Sequence, residues 1–360
     1  MKNTKYYVQF FKLISKISRM SKSKSHSIGV IGAGSWGTAL SCLMADDNPA
    51  IYLWAYERET VKDITNSREN RVFLPGIRIP DNVKAISEIE KLMENCKILM
   101  IVTPVQNTRS IIKQIKNLVK PDHKFVLAGK GIEKKSSCLL SEIIEEELGT
   151  SKNVAILSGP TFALEVAQRK PTAAVVASSD PKLAKTVQSI LHKNRFRIYQ
   201  SKDIKGVQLA GAIKNVISIA GGIADGMRLG LNARAALICR GLEEMKRLGV
   251  KLNGQPETFS GLAGLGDLIL TATGSLSRNH ELGFRIGEGI SPKDLLKNQF
   301  NVVEGVPTSI SLQELCREQQ VEMPISENVY SILHEGLDPN DALFQLLERK
   351  IPSPEIKRKD

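Results

Sequence analysis

One lysine is a candidate for chemistry because of where it lies in the chain. Lys214 occupies the middle of residues 206–220, a long stretch of small and aliphatic side chains that is typical of a buried helix. A lysine is rarely buried without a partner, since loss of water disfavours its charged form. Lys214 could therefore transfer protons in a catalytic site. The alternative is a lysine whose methylene stem carries its ammonium group out to solvent.

A glycine pattern near the start of the chain predicts a nucleotide site. Gly32, Gly34 and Gly37 have the spacing G-x-G-x-x-G between a β-branched strand at 27–31 and an apolar helix. In dinucleotide-binding folds the first glycine permits a tight turn, the second lets a pyrophosphate approach the backbone, and the third lets the helix pack closely on the strand. The helix N-terminus adds free N–H groups. A glycine-rich turn without a ligand is the alternative.

The residues after the second strand leave the identity of the nucleotide open. This strand spans 50–54 and is followed by Tyr56, Glu57 and Arg58, with Glu57 twenty residues after Gly37. An acid at this distance would bind the ribose hydroxyls of NAD, whereas an arginine beside it could pair with the 2′-phosphate of NADP. The sequence does not decide between the two cofactors.

Further strands predict the fold class and one shared crevice. Segments 97–102, 124–128, 154–157 and 173–177 are strand-like and alternate with helical patterns. This alternation predicts an α/β fold with a Rossmann-type, doubly wound and mostly parallel sheet. Ligands bind beyond the carboxyl ends of such strands. Lys130, between two glycines at one of these ends, is expected to meet an anionic substrate, although an ordinary surface lysine is the alternative.

The chain is expected to form two folded domains with a tail at each end. Glycine-punctuated helical patterns replace strands after about residue 205, which predicts a mostly α-helical C-terminal domain. We assign residues 1–26 to a basic, disordered extension, 27–204 to the dinucleotide-binding domain, 205–349 to the helical substrate domain and 350–360 to a frayed tail.

The predicted helical domain offers candidates for binding a phosphate group. Ser277, Arg278 and Asn279 precede an apolar helical pattern, so an arginine and free backbone N–H groups would stand together at a helix N-terminus. Asp267 follows a glycine-rich segment near another predicted helix start. Simple helix capping is the alternative at both places.

The net charge of +12 is mostly a property of the N-terminal extension. Residues 1–27 hold seven basic residues and no acidic one, which leaves about +5 for the rest and gives no basis for nucleic-acid binding by the folded part. The extension resembles an organellar transit peptide in composition, and Met20 is an alternative start of the chain. We favour a disordered or spurious extension and a cytoplasmic protein.

The cysteines and histidines give no sign of a metal site. Five of each are present; the cysteines are widely scattered, and no pair has metal-ligand spacing. We therefore expect free thiols in a reducing compartment and no bound metal. Polar residues interrupt the apolar segment 204–224, so no integral membrane association is expected.

Together, these motifs resemble those of NAD(P)-dependent glycerol-3-phosphate dehydrogenases. The resemblance spans roughly residues 27–345 and rests mainly on five segments in the family's order and spacing: 32–40, 157–163, 211–216, 263–268 and 277–279. It implies an enzyme that interconverts sn-glycerol 3-phosphate and dihydroxyacetone phosphate by hydride transfer with NAD or NADP. It also implies that the protein supplies glycerol 3-phosphate for glycerophospholipid synthesis. A homodimer is a possible assembly of the protein.

The resemblance assigns roles residue by residue. Lys214 matches the family's general acid/base. Substrate-contacting positions are matched by Lys130, Gly159, Thr161, Lys214, Asp267, Ser277, Arg278 and Asn279. Cofactor-contacting positions are matched by Ser35, Trp36, Tyr56, Lys130, Ala163, Arg278, Val302 and Glu304, together with Gly32, Gly34 and Gly37.

Two departures from the family pattern are visible. Tyr56 stands where bacterial members commonly have arginine or histidine, which puts a strong preference for NADP in doubt. Residues 271–273 lack the family's usual cysteine, and no effect on the chemistry is expected from this change.

The implied reaction agrees with the chemistry of a buried lysine. Oxidation of a secondary alcohol needs a base at the hydroxyl group, and the reverse reduction needs an acid at the same place. Lys214 suits both if burial and a neighbouring cation such as Lys130 lower its pKa, while Asp267 would raise it and orient the ammonium group.

Other functions remain open from the sequence. A related two-domain dehydrogenase could act on another hydroxy acid or on a sugar derivative. A silent dinucleotide-binding protein could serve as a sensor or scaffold, and the basic extension could bind nucleic acid. The presence of Lys214, Asp267 and Arg278 argues against a silent protein.

Overall fold

The computed structural model describes residues 27–150, 152–297 and 302–348. The predictions of a disordered extension at 1–26 and a frayed tail at 350–360 lie outside the described residues.

An open sheet of eight strands forms the N-terminal part of the described chain. The described residues contain these eight strands and two more: β1 (Ile28–Ile31), β2 (Ile51–Trp54), β3 (Glu69–Asn70), β4 (Leu74–Arg78), β5 (Val83–Ile86), β6 (Ile98–Ile101), β7 (Lys124–Leu127), β8 (Val154–Ser158), β9 (Thr172–Ala177) and β10 (Phe196–Ser201). The sheet has the order β10-β9-β8-β7-β6-β1-β2-β5, and β3 pairs with β4 in a separate hairpin. Within the sheet, the six neighbouring strands β8-β7-β6-β1-β2-β5 have the order of a doubly wound dinucleotide-binding sheet. The switch point of this order lies between β1 and β6.

The last two strands depart from the parallel arrangement. The strand predicted at 173–177 exists as β9, but it runs antiparallel to β8, and β10 follows β9 in parallel. A parallel neighbour needs a crossover long enough to return the chain along the sheet. The connection from β8 to β9 contains only a five-residue helix, Ala163–Ala167, so β9 runs back in the opposite direction. The sheet is therefore mostly parallel, which confirms the predicted fold class.

Helices cover both faces of the sheet. They are α1 (Ser35–Met44), α2 (Arg58–Ser67), α3 (Ile89–Asn95), α4 (Val105–Ile115), α5 (Leu140–Leu148), α6 (Ala163–Ala167) and α7 (Pro181–Leu191). Two clusters of buried apolar side chains lie on the two faces, because successive side chains of a strand point in opposite directions. In β1, for example, Val30 belongs to one cluster and Ile31 to the other.

One central helix organises the C-terminal part of the described chain. The helices there are α8 (Ile204–Gly226), α9 (Leu231–Lys251), α10 (Pro256–Ser260), α11 (Asp267–Thr273), α12 (Arg278–Gly287), α13 (Pro292–Lys297), α14 (Gly305–Gln319), α15 (Pro324–Tyr330) and α16 (Pro339–Glu348). α8 is buried along nearly its whole length, and α9, α11, α12 and α14 pack around it. Gly222 permits the close approach of α12, since a Cβ there would lie 2.0 Å from the carbonyl oxygen of His280.

The apolar character of α8 is explained by this packing. Among the described residues it is the one helix long and apolar enough to cross a membrane. The most apolar 18-residue stretch of this helix is 100% buried inside the protein. Asp203 caps its N-terminus by accepting a hydrogen bond from the backbone N–H of Gly206 (2.8 Å), and it also accepts from Thr258 Oγ1 (2.6 Å). The carboxylate thereby ties α8 to α10 at the boundary with the sheet.

Candidate active site

The glycine turn between β1 and α1 leaves open space in front of its second glycine. A Cβ on Gly37 would lie 1.9 Å from the carbonyl oxygen of Gly32, so this glycine is required for the packing of helix on strand. A Cβ on Gly34 would meet no atom within 4 Å. Gly34 is also the N-cap of α1 and offers no side-chain cap, which leaves the helix N-terminus available to an anion.

The two residues that begin α1 differ in how their polar atoms are satisfied. Ser35 Oγ donates a hydrogen bond to the carbonyl oxygen of Phe73 (2.5 Å), which ties α1 to the loop before β4. Trp36 Nε1 is buried and has no hydrogen-bond partner among the described residues. A buried donor without a partner is unusual in a folded protein, and it marks a place where a ligand could complete the bonding.

A cleft of about 620 Å³ opens beyond the carboxyl end of β2. Its lining includes Trp54, Tyr56, Arg58, Glu88 and Gln114. Tyr56 is 81% exposed, and its ring meets the edge of Trp54 at a centroid distance of 6.4 Å. In a doubly wound sheet this position receives the adenosine end of a dinucleotide.

Lys214 lies in a buried network of ionic groups. Its Nζ donates to Asp267 Oδ1 (3.0 Å) and to Thr271 Oγ1 (2.6 Å), and the side chain is only 8% exposed. Lys130 Nζ donates to the other carboxylate oxygen, Asp267 Oδ2 (2.5 Å), and to the carbonyl oxygen of Gly159 (2.8 Å). Asp267, at 1% exposure, therefore bridges Lys130 in the loop after β7 and Lys214 on α8. It does not serve as a simple helix cap.

The pKa values of this network follow from burial and mutual charge. Burial lowers the pKa of Lys214 to about 8, the negative charge of Asp267 opposes that change, and Lys130 and Arg278 add to it. Burial would raise the pKa of Asp267, but Lys130 and Lys214 outweigh this and hold it below its usual value. The result is an ionised acid beside a lysine that can gain or lose a proton near neutral pH.

Ser277 and Arg278 do different things at the start of α12. The Ser277 hydroxyl accepts a hydrogen bond from the backbone N–H of His280 (3.2 Å), so this side chain is a helix cap in the described structure. Arg278 is the first residue of the helix and is exposed. Partial burial lowers the pKa of its guanidinium group, and the charge of Glu304 opposes this change. An arginine remains charged in any case, and it is well placed for a phosphate.

Asn279 is buried between two backbone segments. Its Nδ2 donates to Asn215 Oδ1 (3.0 Å), and its Oδ1 accepts from the backbone N–H of Gly305 (3.0 Å). Asn215 in turn donates to the carbonyl oxygen of Lys130 (2.9 Å). The two amides thus fix the backbone that carries Lys130, and the structure gives Asn279 this bracing role in addition to any contact with substrate.

Glu304 stands between the sheet and the helical part with one oxygen unsatisfied. Its Oε1 accepts from the backbone N–H of Val105 (3.0 Å), the first residue of α4, while Oε2 is buried and has no partner within the described ranges. Burial raises the pKa of Glu304 to about 7, and the charge of Arg278 opposes that rise. Val302, two residues earlier, is 42% exposed.

The loop after β8 completes this side of the site. Gly159 adopts a positive φ of +134° and its carbonyl oxygen accepts from both Lys130 and Thr161 Oγ1, the latter at 3.1 Å. A Cβ at this glycine would lie 2.9 Å from the Cα of Ala174, so both conformation and space require glycine. Ala163 begins α6 directly after this loop.

Sequence reasoning missed two residues of the network. The sequence indicates Thr271 only as part of a segment that lacks the family's cysteine, yet its hydroxyl contacts Lys214 and donates to the backbone carbonyl oxygen of Asp267 (2.7 Å). Its position four residues after Asp267 on one helix could have indicated a shared face. The sequence pattern predicts no role for Asn215, next to Lys214. In the part of the chain that the structure describes, no group of three or more His, Cys, Asp or Glu side chains could hold a metal ion.

Comparisons with known proteins agree with this picture. Models described as the N-terminus and the C-terminus of NAD-dependent glycerol-3-phosphate dehydrogenase match residues 27–184 and 203–344. A curated relative from Geobacter sulfurreducens named glycerol-3-phosphate dehydrogenase (NAD(P)+) is 44% identical over 329 residues, covering 91% of this chain and 98% of the relative.

Solved structures give the same result. A glycerol-3-phosphate dehydrogenase from Coxiella burnetii superposes with a TM-score of 0.86 at 40% identity, covering 90% of this chain and 99% of the other. A glycerol-3-phosphate dehydrogenase from Saccharomyces cerevisiae gives a TM-score of 0.77 at 28% identity, covering 91% and 100% of the two chains.

Proposed function

The chain belongs to the NAD-dependent glycerol-3-phosphate dehydrogenase family, and from this premise we propose how its residues carry out the reaction. It is an NAD(P)-dependent oxidoreductase with glycerol-3-phosphate dehydrogenase activity. We propose that it interconverts sn-glycerol 3-phosphate and dihydroxyacetone phosphate with Lys214 as general acid/base. The observation that carries this proposal is a buried lysine held by Asp267 and Thr271 beside a second lysine.

The hydrogen bonds of Lys214 leave one direction free for proton transfer. Asp267 Oδ1 and Thr271 Oγ1 each accept one N–H from Nζ. The Thr271 hydroxyl donates its own proton to the Asp267 carbonyl oxygen, so it can only accept from the lysine. As an ammonium group, Lys214 keeps a third N–H for the substrate. As an amine, it keeps a lone pair in that place.

Proton transfer at Lys214 balances the reaction in both directions. In oxidation the amine takes the proton of the C2 hydroxyl, the C2–H bond breaks with loss of hydride, and a carbonyl group forms. In reduction the ammonium group donates its proton to the oxygen that develops negative charge. Nicotinamide cofactor, when bound, supplies the hydride acceptor or donor. A pKa of about 8 suits a group that must act in both states near neutral pH.

Two cations are available for the phosphate and the oxygen atoms of the substrate. Arg278 stands exposed at the N-terminus of α12, where charge-assisted bonds and helix N–H groups combine. Lys130 uses two of its N–H groups on Asp267 and Gly159, and the third is free for substrate. We assign the phosphate to Arg278 and the oxygen atoms near C2 to Lys130.

The residues around the glycine turn fit a dinucleotide. Gly34 leaves its Cβ position empty, as a pyrophosphate lying against the backbone requires. Trp36 Nε1 and Glu304 Oε2 are buried polar atoms without partners among the described residues, so a bound cofactor could complete their hydrogen bonds. We propose that the turn, Tyr56, Ala163, Arg278, Val302 and Glu304 hold NAD(P).

The cellular role is proposed from the family and the composition. We propose that the chain supplies glycerol 3-phosphate for glycerophospholipid synthesis and acts in the cytoplasm. Free cysteines at all five positions are compatible with a reducing compartment. The assembly, a homodimer in our proposal, can be measured by analytical ultracentrifugation, and a monomer at micromolar concentration would contradict it.

The proposal is tested by turnover of a Lys214→Met variant. The purified protein should oxidise NADH or NADPH with dihydroxyacetone phosphate and not with unphosphorylated dihydroxyacetone. The variant should lose turnover by about 10²–10⁴-fold, the usual contribution of a general acid/base, while it still binds the cofactor in a fluorescence titration. Near-normal turnover, or indifference to the phosphate group, would refute the assignment.

A matched control lies on the same helix. Lys205 on α8 is 41% exposed and pairs with Glu142 at 3.2 Å, away from the buried network. Lys205→Met should retain turnover within about twofold, as expected for a surface substitution. Equal losses in both variants would show that the effect arises from the stability of α8 and not from proton transfer.

A further inference from the structure

The loop after β7 is held in place by an ion pair that lies outside the catalytic network. We propose that Glu133, paired with Arg109, is a positioning residue that fixes this loop and thereby keeps the Lys130 ammonium group on Asp267. The inference rests on the proposed function, because Lys130 and Asp267 act there through Lys214.

Glu133 and Arg109 form a two-pronged ion pair. Arg109 Nε donates to Glu133 Oε1 (3.0 Å), and its Nη2 donates to Oε2 (2.7 Å). The Arg109 side chain is 21% exposed and that of Glu133 is 11% exposed. Paired hydrogen bonds between a guanidinium group and a carboxylate fix the relative orientation of the two groups. Because Glu133 lies three residues after Lys130 and Arg109 lies on α4, the pair ties the loop to that helix.

The backbone on both sides of Glu133 is bonded as well. Gln106 Nε2, also on α4, donates to the carbonyl oxygen of Ile132 (2.8 Å), and Gln106 Oε1 accepts from the backbone N–H of Lys134 (2.9 Å). Ser311 Oγ on α14 donates to the backbone carbonyl oxygen of Glu133 (2.9 Å). This segment is therefore fixed against two helices, and the ion pair supplies its charged bonds.

A change in the position of this segment should displace Lys130. A Cβ on Gly131 would lie 3.1 Å from Thr308 Oγ1, so the chain between Lys130 and the segment packs closely against α14. The backbone carbonyl oxygen of Lys130 accepts from Asn215 Nδ2 (2.9 Å) on α8. Lys130 is thus held from one side by α8 and from the other by the segment that Glu133 anchors.

The position of Lys130 affects proton transfer because its charge acts on Lys214. Lys130 and Lys214 donate to the two carboxylate oxygens of Asp267, at 2.5 and 3.0 Å. Burial is the main cause of the lowered pKa of Lys214, Asp267 opposes it, and the positive charges of Lys130 and Arg278 add to it. If Lys130 is displaced, Lys214 loses a repelling neighbour and keeps its counter-ion, so its pKa should rise.

The direction of this change distinguishes positioning from a direct effect of charge. Removing the negative charge of Glu133 acts through space to lower the pKa of Lys214, whereas a displaced loop raises it. The variant Glu133→Ala therefore sets the two effects against each other. Arg109 keeps Glu146 (2.7 Å) and Glu147 (2.8 Å) as partners in this variant, so its charge is not left alone.

The pH dependence of oxidation by Glu133→Ala tests the proposal. The kcat/KM for glycerol 3-phosphate should rise with pH at a midpoint roughly 0.5–1 pH unit above that of the unmodified chain, part of the change that a charge at contact distance produces. The kcat/KM for dihydroxyacetone phosphate near neutral pH should fall about tenfold or more, because a displaced lysine meets the substrate poorly.

A conservative variant covers the case in which Glu133→Ala does not fold. Glu133→Gln keeps the size of the side chain and can accept neutral hydrogen bonds from Arg109, which are weaker than those of a carboxylate. Its midpoint should also rise, by less than that of Glu133→Ala, and kcat/KM should be partly retained.

Glu147 is a matched control from the same cluster. Its side chain is 12% exposed and pairs with Arg109 at 2.8 Å, but it lies on α5 and not on the loop. Glu147→Ala removes the same charge from the same arginine, so it should lower the melting temperature without raising the pH midpoint. A midpoint that is unchanged or lower in the folded Glu133 variants, or an equal rise in Glu147→Ala, would overturn the inference.

The outcomes also separate this inference from the proposed function. If the unmodified chain oxidises glycerol 3-phosphate with a midpoint near 8 and Glu133→Ala has the same midpoint, the function stands and the positioning role is refuted. If the unmodified chain does not turn over, or Lys214→Met turns over normally, the proposed function is refuted, and the inference with it.

Discussion

Removal of the negative charge from Asp267 should change the pH at which Lys214 acts. Asp267 is 1% exposed and bridges Lys214 (3.0 Å) and Lys130 (2.5 Å). Its charge raises the pKa of Lys214 against the effect of burial. Asp267→Asn keeps the size of the side chain and removes that charge. The amine form of Lys214 should then predominate at lower pH, while both lysines lose their counter-ion.

The expected magnitude follows from the geometry of the pair. An opposite charge within hydrogen-bond distance commonly changes a pKa by about 1–3 units. From a value of about 8, the pKa of Lys214 should therefore fall to roughly 5–7 in the variant. Breaking a buried ion pair costs about 3–5 kcal/mol when the remaining charge stays buried, and loss of a proton by Lys214 should reduce this cost.

The pH dependence of oxidation measures this change. The kcat/KM for glycerol 3-phosphate should rise with pH through about 8 in the unmodified chain, because oxidation requires the amine form. In Asp267→Asn the rise should occur at least about one pH unit lower, with a reduced plateau because Lys130 loses its anchor. An unchanged or higher midpoint in a folded variant would refute the reasoning.

Asp225 provides a matched control. It lies on α8, is 17% exposed, and also holds two basic partners, Arg234 (2.8 Å) and His280 (2.9 Å). Asp225→Asn should lower the melting temperature without moving the pH midpoint of oxidation. A midpoint that moves equally in both variants would indicate a general loss of structure.

Three other perturbations test separate parts of the structure. Gly34→Ala should fold normally, because its Cβ meets no protein atom, but it should bind the dinucleotide more weakly, because that Cβ fills the space proposed for the pyrophosphate. Gly37→Ala should unfold at a lower temperature, because its Cβ would lie 1.9 Å from the Gly32 oxygen. Melting curves and cofactor titration distinguish the two variants. Thr271→Val should lower kcat about tenfold or more by removing an acceptor of Lys214, with recovery in Thr271→Ser, as steady-state kinetics can show. Glu244 is buried on α9, and burial raises its pKa to about 7. Its contribution to stability is therefore fully present below about pH 4.5 and is lost as pH rises to about 7. In urea unfolding, the free energy of unfolding of the unmodified chain should fall by up to about 3 kcal/mol relative to that of Glu244→Gln across this pH range. The same pH dependence of this free energy in both proteins would contradict the prediction.

Local patterns in the sequence were enough to predict the fold class and the principal candidate. The spacing of Gly32, Gly34 and Gly37 and the alternation of strands with helices reflect constraints that act within a few residues. The apolar stretch around Lys214 likewise required a buried helix, which the structure has as α8. These features could be predicted because backbone sterics and hydrophobic periodicity are local properties.

Only the tertiary structure decided which side chains meet. Asp267 contacts Lys130 across 137 positions of the chain, and Glu304 contacts Val105 across 199. Such contacts depend on how whole elements pack, and local propensities do not specify them. For the same reason the sequence predicted β9 without its antiparallel direction. The sequence supplied Lys214 as a lysine in an apolar helix; packing supplied the acid, the hydroxyl group and the second lysine that make it a candidate catalyst.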